Sequence, residues 1–142
     1  MQTTEPSPAG VTRTNPDGLY DPAPFGYSHL GEIPAGRRLV CVAGQGGERP
    51  DGTRDPGFAA QVAQALDNVV TALGAAGATP ADVAKLIVLI VDHDEAKLPI
   101  LGREFNRIFG DGLKPACTLI PVPRLALQDM LFEVEAVAAV AG

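Results

Sequence analysis

The sequence predicts an α+β domain: one mixed sheet with two helices on one face. Three observations lead there. Leu86 to Val91 (Leu-Ile-Val-Leu-Ile-Val) is apolar at every position, the pattern of a strand buried on both faces. Phe58, Val62, Leu66, Val69 and Leu73 recur at spacings of four and three, which gathers them on one side of a helix. The stretch from Met130 to Val140 opens with clean alternation, Glu133 and Glu135 standing between Phe132, Val134 and Ala136. That is the period of a strand with two unlike faces.

The elements follow in order. Residues 1–26 carry Pro6, Pro8, Pro16, Pro22 and Pro24 with Gly10 and Gly18, and read as an irregular N-terminal arm, frayed at its start. Leu19 to Phe25 holds two aromatics, Tyr20 and Phe25, for packing down on the single domain expected over 27–142. Tyr27 to Glu32 alternates loosely as a first strand, and Pro34-Ala35-Gly36 signals a turn. Arg38 to Ala43 reads as a buried strand. The glycine-rich stretch 44–57 is a loop and not a phosphate cradle, since Arg49 stands where a dinucleotide fingerprint needs its third glycine. Asp55 is placed to cap the first helix and Pro56 to open it. Gln61, Gln64, Asn68 and Thr71 fall on its other side, and Gly77 closes it. A second helix runs to about Phe109, with Pro99 in its first turn and Leu98, Leu101, Phe105, Ile108 and Phe109 inward. Ala116 to Val122 is a strand whose Pro121 suggests an edge or a bulge.

Two helices cover one sheet face, yet Leu39 to Ala43 and Leu86 to Val91 offer apolar side chains to both. A second copy of the chain is the simplest cover, so an obligate oligomer is expected.

Composition narrows the function classes. The 142 residues suit one domain. Lys and Arg total 11 against 17 Asp and Glu, a net charge of −6, which argues against a nucleic-acid or anionic-membrane surface. Aromatics are 5% and Trp is absent, leaving little for base stacking. The longest apolar runs fall far short of the roughly 20 residues of a membrane helix, and Met1 to Gly10 has no apolar core of a secretory signal. Cys41 and Cys117 form no disulfide framework, which fits a reducing cytoplasm. The two histidines have no metal-ligand spacing around them, so no metal and no cofactor is expected.

Chemistry is expected on the last strand. Glu133 and Glu135 share a face about 7 Å apart by strand geometry. They point to the side that a neighbouring copy would cover, where a carboxylate is a candidate acid or base. The alternative is a structural ion pair with Arg37, Arg38 or Arg124. Cys117 reads as a small apolar filler, with a nucleophilic role as a minor alternative. Tyr27 and His29 share a face of the first strand.

These residues resemble the Rid/YjgF family of reactive-intermediate (imine and enamine) deaminases. Ala60 to Val69, then Ala75-Ala76-Gly77 and Asp82-Val83-x-Lys85, are similar to its central signature. Phe25-Gly26-Tyr27-Ser28-His29, Gly44-Gln45, Pro115-Ala116, Arg124-Leu125 and Glu133 to Ala138 are similar to its other blocks. The resemblance implies a chorismate-mutase-like fold, a homotrimer and three clefts between subunits. It also implies an arginine directly after Pro-Ala that grips the substrate carboxylate. A glutamate in the last strand and a tyrosine near the first would position the imine and the attacking water. Glu133 and Tyr27 match the latter two and are the candidate catalytic residues. Cys117 stands at the arginine's place. With Thr118, Arg124 and His29 it makes up the candidate substrate-binding set.

A neutral thiol cannot reproduce a bidentate guanidinium grip, and its loss weakens amino-acid-derived imines by several kcal/mol at most, on the scale of a lost charge partner. The reading is therefore a hydrolase of imines or enamines with an atypical substrate range. A non-catalytic trimer that binds a metabolite or a partner is the alternative, and an endoribonuclease or translation inhibitor ranks last on charge.

Overall fold

The computed structural model describes residues 2–7 and 10–142. Among the described residues there are two sheets and two α-helices, with three short 3-10 turns between them. A small antiparallel sheet holds β1 (Thr3–Pro6), β2 (Thr12–Asn15) and β3 (Leu30–Glu32) in that order. The main sheet holds β4 (Arg37–Gln45), β5 (Val83–Val91), β6 (Ala116–Val122) and β7 (Phe132–Ala141). Its spatial order is β4-β7-β5-β6. β7 runs antiparallel to both neighbours and β5 parallel to β6, so the sheet is mixed. The parallel pair needs a crossover, and α2 (Leu98–Phe109) supplies it. α1 (Phe58–Ala75) joins β4 to β5.

The main core lies between the helices and one sheet face. Val62, Leu66, Val69 and Leu73 of α1 and Leu101 and Phe105 of α2 meet Leu86, Val88, Ile90, Phe132, Val134 and Ala136. Fully burying one such side chain is worth about 1.5–3 kcal/mol, so the stripe seen in the sequence is what seats both helices. β6 is the edge strand, as Pro121 suggests.

Three expectations are corrected. The arm is not irregular: β1 and β2 form a hairpin within it, with Pro6 as the last residue of β1 and Pro16 directly after β2. Val11 is fully buried against Ala84 and Ala139. Arg13 is 7% exposed and donates to the carbonyls of Pro80, Val83 and Leu113, so a side chain that composition would leave on the surface pins the hairpin. Gly31 lets β3 cross β5, since a Cβ there would run into the Ala84 carbonyl. Secondly, α1 begins at Phe58 with Gly57 as its cap, and Asp55 accepts from the Gly57 amide at 2.7 Å instead of capping the helix. Thirdly, Gln61 does not face solvent. It is completely buried, donates to the carbonyls of Asp55 and Asp129 at 2.9 Å, and accepts from the Leu131 amide at 2.8 Å.

The other sheet face stays open in the single chain. Leu39 is 59% and Ile120 41% exposed there, and Cys41 is exposed on the same strand as Leu39. The small sheet reaches only the end of this face, at Ala84 and Ala139.

Candidate functional site

Strand pairing decides where each candidate points, because residues directly opposite on paired strands share a face. Ala136 lies opposite Leu86, and Leu86 opposite Cys117. Ala136 and Leu86 belong to the helix-side core, so the Cys117 side chain points to the helices. Glu133 lies opposite Leu89, itself opposite Ile120, and Glu135 opposite Ile87, itself opposite Thr118. These two rows point to the open face. Within one chain, Cys117 and Glu133 are therefore on opposite sides of the sheet.

On the helix side, Cys117 opens into a cleft of about 330 Å³. Leu98, Leu101 and Phe105 of α2 form one wall, and Phe25, Gly26 and Tyr27 another, with Val88, Thr118 and Leu119 completing it. Tyr27 is held by an aromatic cluster, with Tyr20 at 6.4 Å and His29 at 5.7 Å between ring centroids, both edge-on. His29 stands behind Tyr27, its Nε2 donating to the Tyr20 carbonyl at 2.8 Å and its amide to Asn15 Oδ1 at 2.9 Å. Burial pushes the Cys117 thiol up to about 11, and the nearby Lys85 charge only partly opposes this. The sulfur is thus a protonated, weakly polar wall near neutral pH, which disfavours the nucleophile reading. Lys85 Nζ donates to Thr118 Oγ1 at 2.8 Å.

On the open side, Glu133 is half-buried and lies over Gly44, where a Cβ would collide with its carboxylate. A register shift between Val42 and Gln45 marks this end of β4. Arg37 and Arg38 sit at the other end, opposite Ala141 and Val140, roughly 20 Å of strand away at about 3.3 Å per residue. Arg38 donates to the Ala76 carbonyl instead, and Arg124 is exposed on the loop after β6. The ion-pair alternative for Glu133 thus finds no partner in Arg38 or Arg124 among the described residues.

Sequence reasoning missed the groups that hold the glycine-rich loop and the segment entering β7. Arg54 bridges Asp129 at 2.7 Å and Glu48 at 2.8 Å, and Asn68 Nδ2 donates to the carbonyls of Gly46 and Glu48. The glycine-rich loop is thereby tied down to α1 and to the segment leading into β7. Gln61 acts on the same segment through Leu131 and Asp129. The only signal was an amide in the first turn of an amphipathic helix, which periodicity places on the polar side.

The family model described as Endoribonuclease L-PSP matches residues 22–140. The chain belongs to this family, the Rid/YjgF proteins. It is 36% identical over 100 residues to the RutC family protein YjgH of Escherichia coli strain K12, which covers 70% of this chain and 74% of that protein. Among solved structures, the Rid-family protein YyfB of Yersinia pestis superposes with a TM-score of 0.84 at 34% identity, over 89% of this chain and 96% of that one. E. coli TdcF, crystallised with bound serine, shares the fold with a TM-score of 0.66 at 23% identity, over 89% and 94%. No helix among the described residues of this Rid-family chain is long and apolar enough to cross a membrane.

Proposed function

We propose that this Rid-family protein hydrolyses imines or enamines in a cleft completed by a second copy of the chain. Overall, one water adds across the C=N bond and ammonia leaves, so the imine carbon becomes a carbonyl with no net oxidation or reduction. One observation carries the reading. Tyr27 and Cys117 line an open cleft on the helix side, while Glu133 faces the uncovered apolar side of the same sheet. Covering that side with a neighbour stabilises it by removing Leu39 and Ile120 from water. The same packing brings the carboxylate of one copy toward the Tyr27 wall of the next. In a closed trimer this produces three equivalent clefts. Glu133 then orients the attacking water and takes its proton, and Tyr27 holds the imine nitrogen.

The neutral Cys117 also favours a second reading, a trimer that binds a small molecule without turnover. Serine is bound to TdcF, but a serine carboxylate would meet no charged side chain among the cleft residues of this chain. The test is to generate imines with an oxidase or dehydratase and follow their decay with and without the protein. Acceleration that is lost in Glu133→Gln supports the hydrolase. The sharing of the cleft is read by mixing Tyr27→Phe with Glu133→Gln chains after unfolding and refolding. About a quarter of the clefts in random trimers then regain both wild-type groups. No recovery, with mixed trimers present, excludes a site built across copies.

A further inference from the structure

The walls of the cleft name a ligand class. Phe25, Leu98, Leu101, Phe105 and Leu119 are apolar, and the polar side-chain groups of the lining residues that face the helix side are the Tyr27 hydroxyl and the Cys117 thiol, Thr118 turning its hydroxyl to the open face of the sheet. No lining residue carries a charge near neutral pH. Lys85, whose charge acts on the Cys117 thiol, is engaged with the Thr118 hydroxyl and does not line the cleft. A carboxylate entering here gives up its water and meets no cation, which opposes binding strongly. An apolar body meets the opposite balance. The volume of about 330 Å³ is roughly twice the ~150 Å³ that accommodates a benzene ring.

We propose that the cleft binds a neutral, carboxyl-free, apolar molecule of about one substituted ring. The imine handled there then derives from an amine or a ketone and not from an amino acid. This second half rests on the hydrolase reading; the first half does not.

Acetophenone and benzoate make a matched pair of probes. They have similar size and shape, and acetophenone is the ketone released from a one-ring imine. Titration calorimetry or ligand-observed NMR on the assembled protein at pH 7.5 reads both. Acetophenone is expected to bind with a Kd at least tenfold below that of benzoate. Phe25→Ala, at an exposed rim position, is expected to weaken acetophenone several-fold, and Cys117→Arg to reverse the preference. Should Cys117→Arg fail to fold, the rim variant and the probe pair still decide.

Benzoate binding as tightly as acetophenone overturns the proposal. So does acetophenone affinity that ignores Phe25→Ala, or the failure of either probe to bind at millimolar concentration. Benzoate binding that is lost in Lys85→Met also overturns it, by making Lys85 a carboxylate partner. Binding is read without turnover, so the two readings fail separately. Protein inert toward every imine that still prefers acetophenone removes the hydrolase and keeps this site. A hydrolase that prefers benzoate does the reverse.

Discussion

Gln61→Leu is the sharpest test of how α1 is joined to the segment entering β7. The wild-type amide is fully buried and serves two carbonyls and one amide, of Asp55, Asp129 and Leu131. Leucine keeps much of the volume and removes all three hydrogen bonds. An orphaned buried amide costs about 1–3 kcal/mol, and each carbonyl that loses its donor about 0.5–1.5 kcal/mol. Burying leucine in place of the amide returns about 1–2 kcal/mol. Mid-range values give a net loss of about 2–3 kcal/mol. At a urea dependence of about 2 kcal/mol per molar, the midpoint falls by about 1–1.5 M. Equilibrium urea unfolding followed by circular dichroism, at matched protein concentration so that self-association does not enter the comparison, reads the shift. Gln64→Leu is the control, since among the described residues the Gln64 amide donates to Asn68 one turn along the helix, and it should change stability by about 0.5 kcal/mol or less. Equal midpoints for the two variants would refute the view that Gln61 joins α1 to the segment entering β7.

Three further outcomes are expected. Glu133→Gln lowers imine hydrolysis by about 100-fold or more with the oligomer intact, and Gly44→Ala, which pushes the carboxylate aside, lowers it toward the same level while costing about 1 kcal/mol of stability for the displaced rotamer; steady-state rates and urea curves separate the two effects. In alkylation by iodoacetamide, Cys41, exposed on the open face of the single chain, reacts quickly in the monomeric Leu39→Asp variant and slowly where a second copy covers that face. Cys117, whose thiol is pushed up to about 11, reacts slowly at pH 8 and about tenfold faster per pH unit above it, as its thiolate fraction grows; mass spectrometry of the peptides reads both. Leu39→Asp or Ile120→Asp places a charge on the apolar open face and breaks the assembly down to monomer in sedimentation velocity, whereas a wild-type chain already monomeric at all concentrations removes the reason for a shared cleft.

Much of the architecture was legible because it rests on local periods. The stripe from Phe58 to Leu73 could only be helix, and α1 ends by Gly77, whose φ of 78° is the left-handed region. The uninterrupted apolar run at 86–91 lies inside β5, next to the chain's last strand. The N-terminal hairpin was not legible. Thr3–Pro6 and Thr12–Asn15 carry no apolar alternation, and what holds them down is Arg13, whose acceptors come from residues 80, 83 and 113. A guanidinium buried among distant carbonyls leaves no mark on its own neighbourhood in the sequence.

By itself the sequence determined the α+β class, the two helices, the glutamate pair on one face of the last strand, the family, and the sulfur at the position after Pro-Ala. Each of these depends only on residue identity and on periods of 2 and 3.6. Tertiary structure alone decided that Cys117 and Glu133 face opposite sides of one sheet. A strand's own alternation says which residues share a face, but the choice of face is made by pairing with its neighbours. Here the register that sets Leu86 opposite both Ala136 and Cys117 turns the thiol to the helices and leaves the carboxylate on the open side.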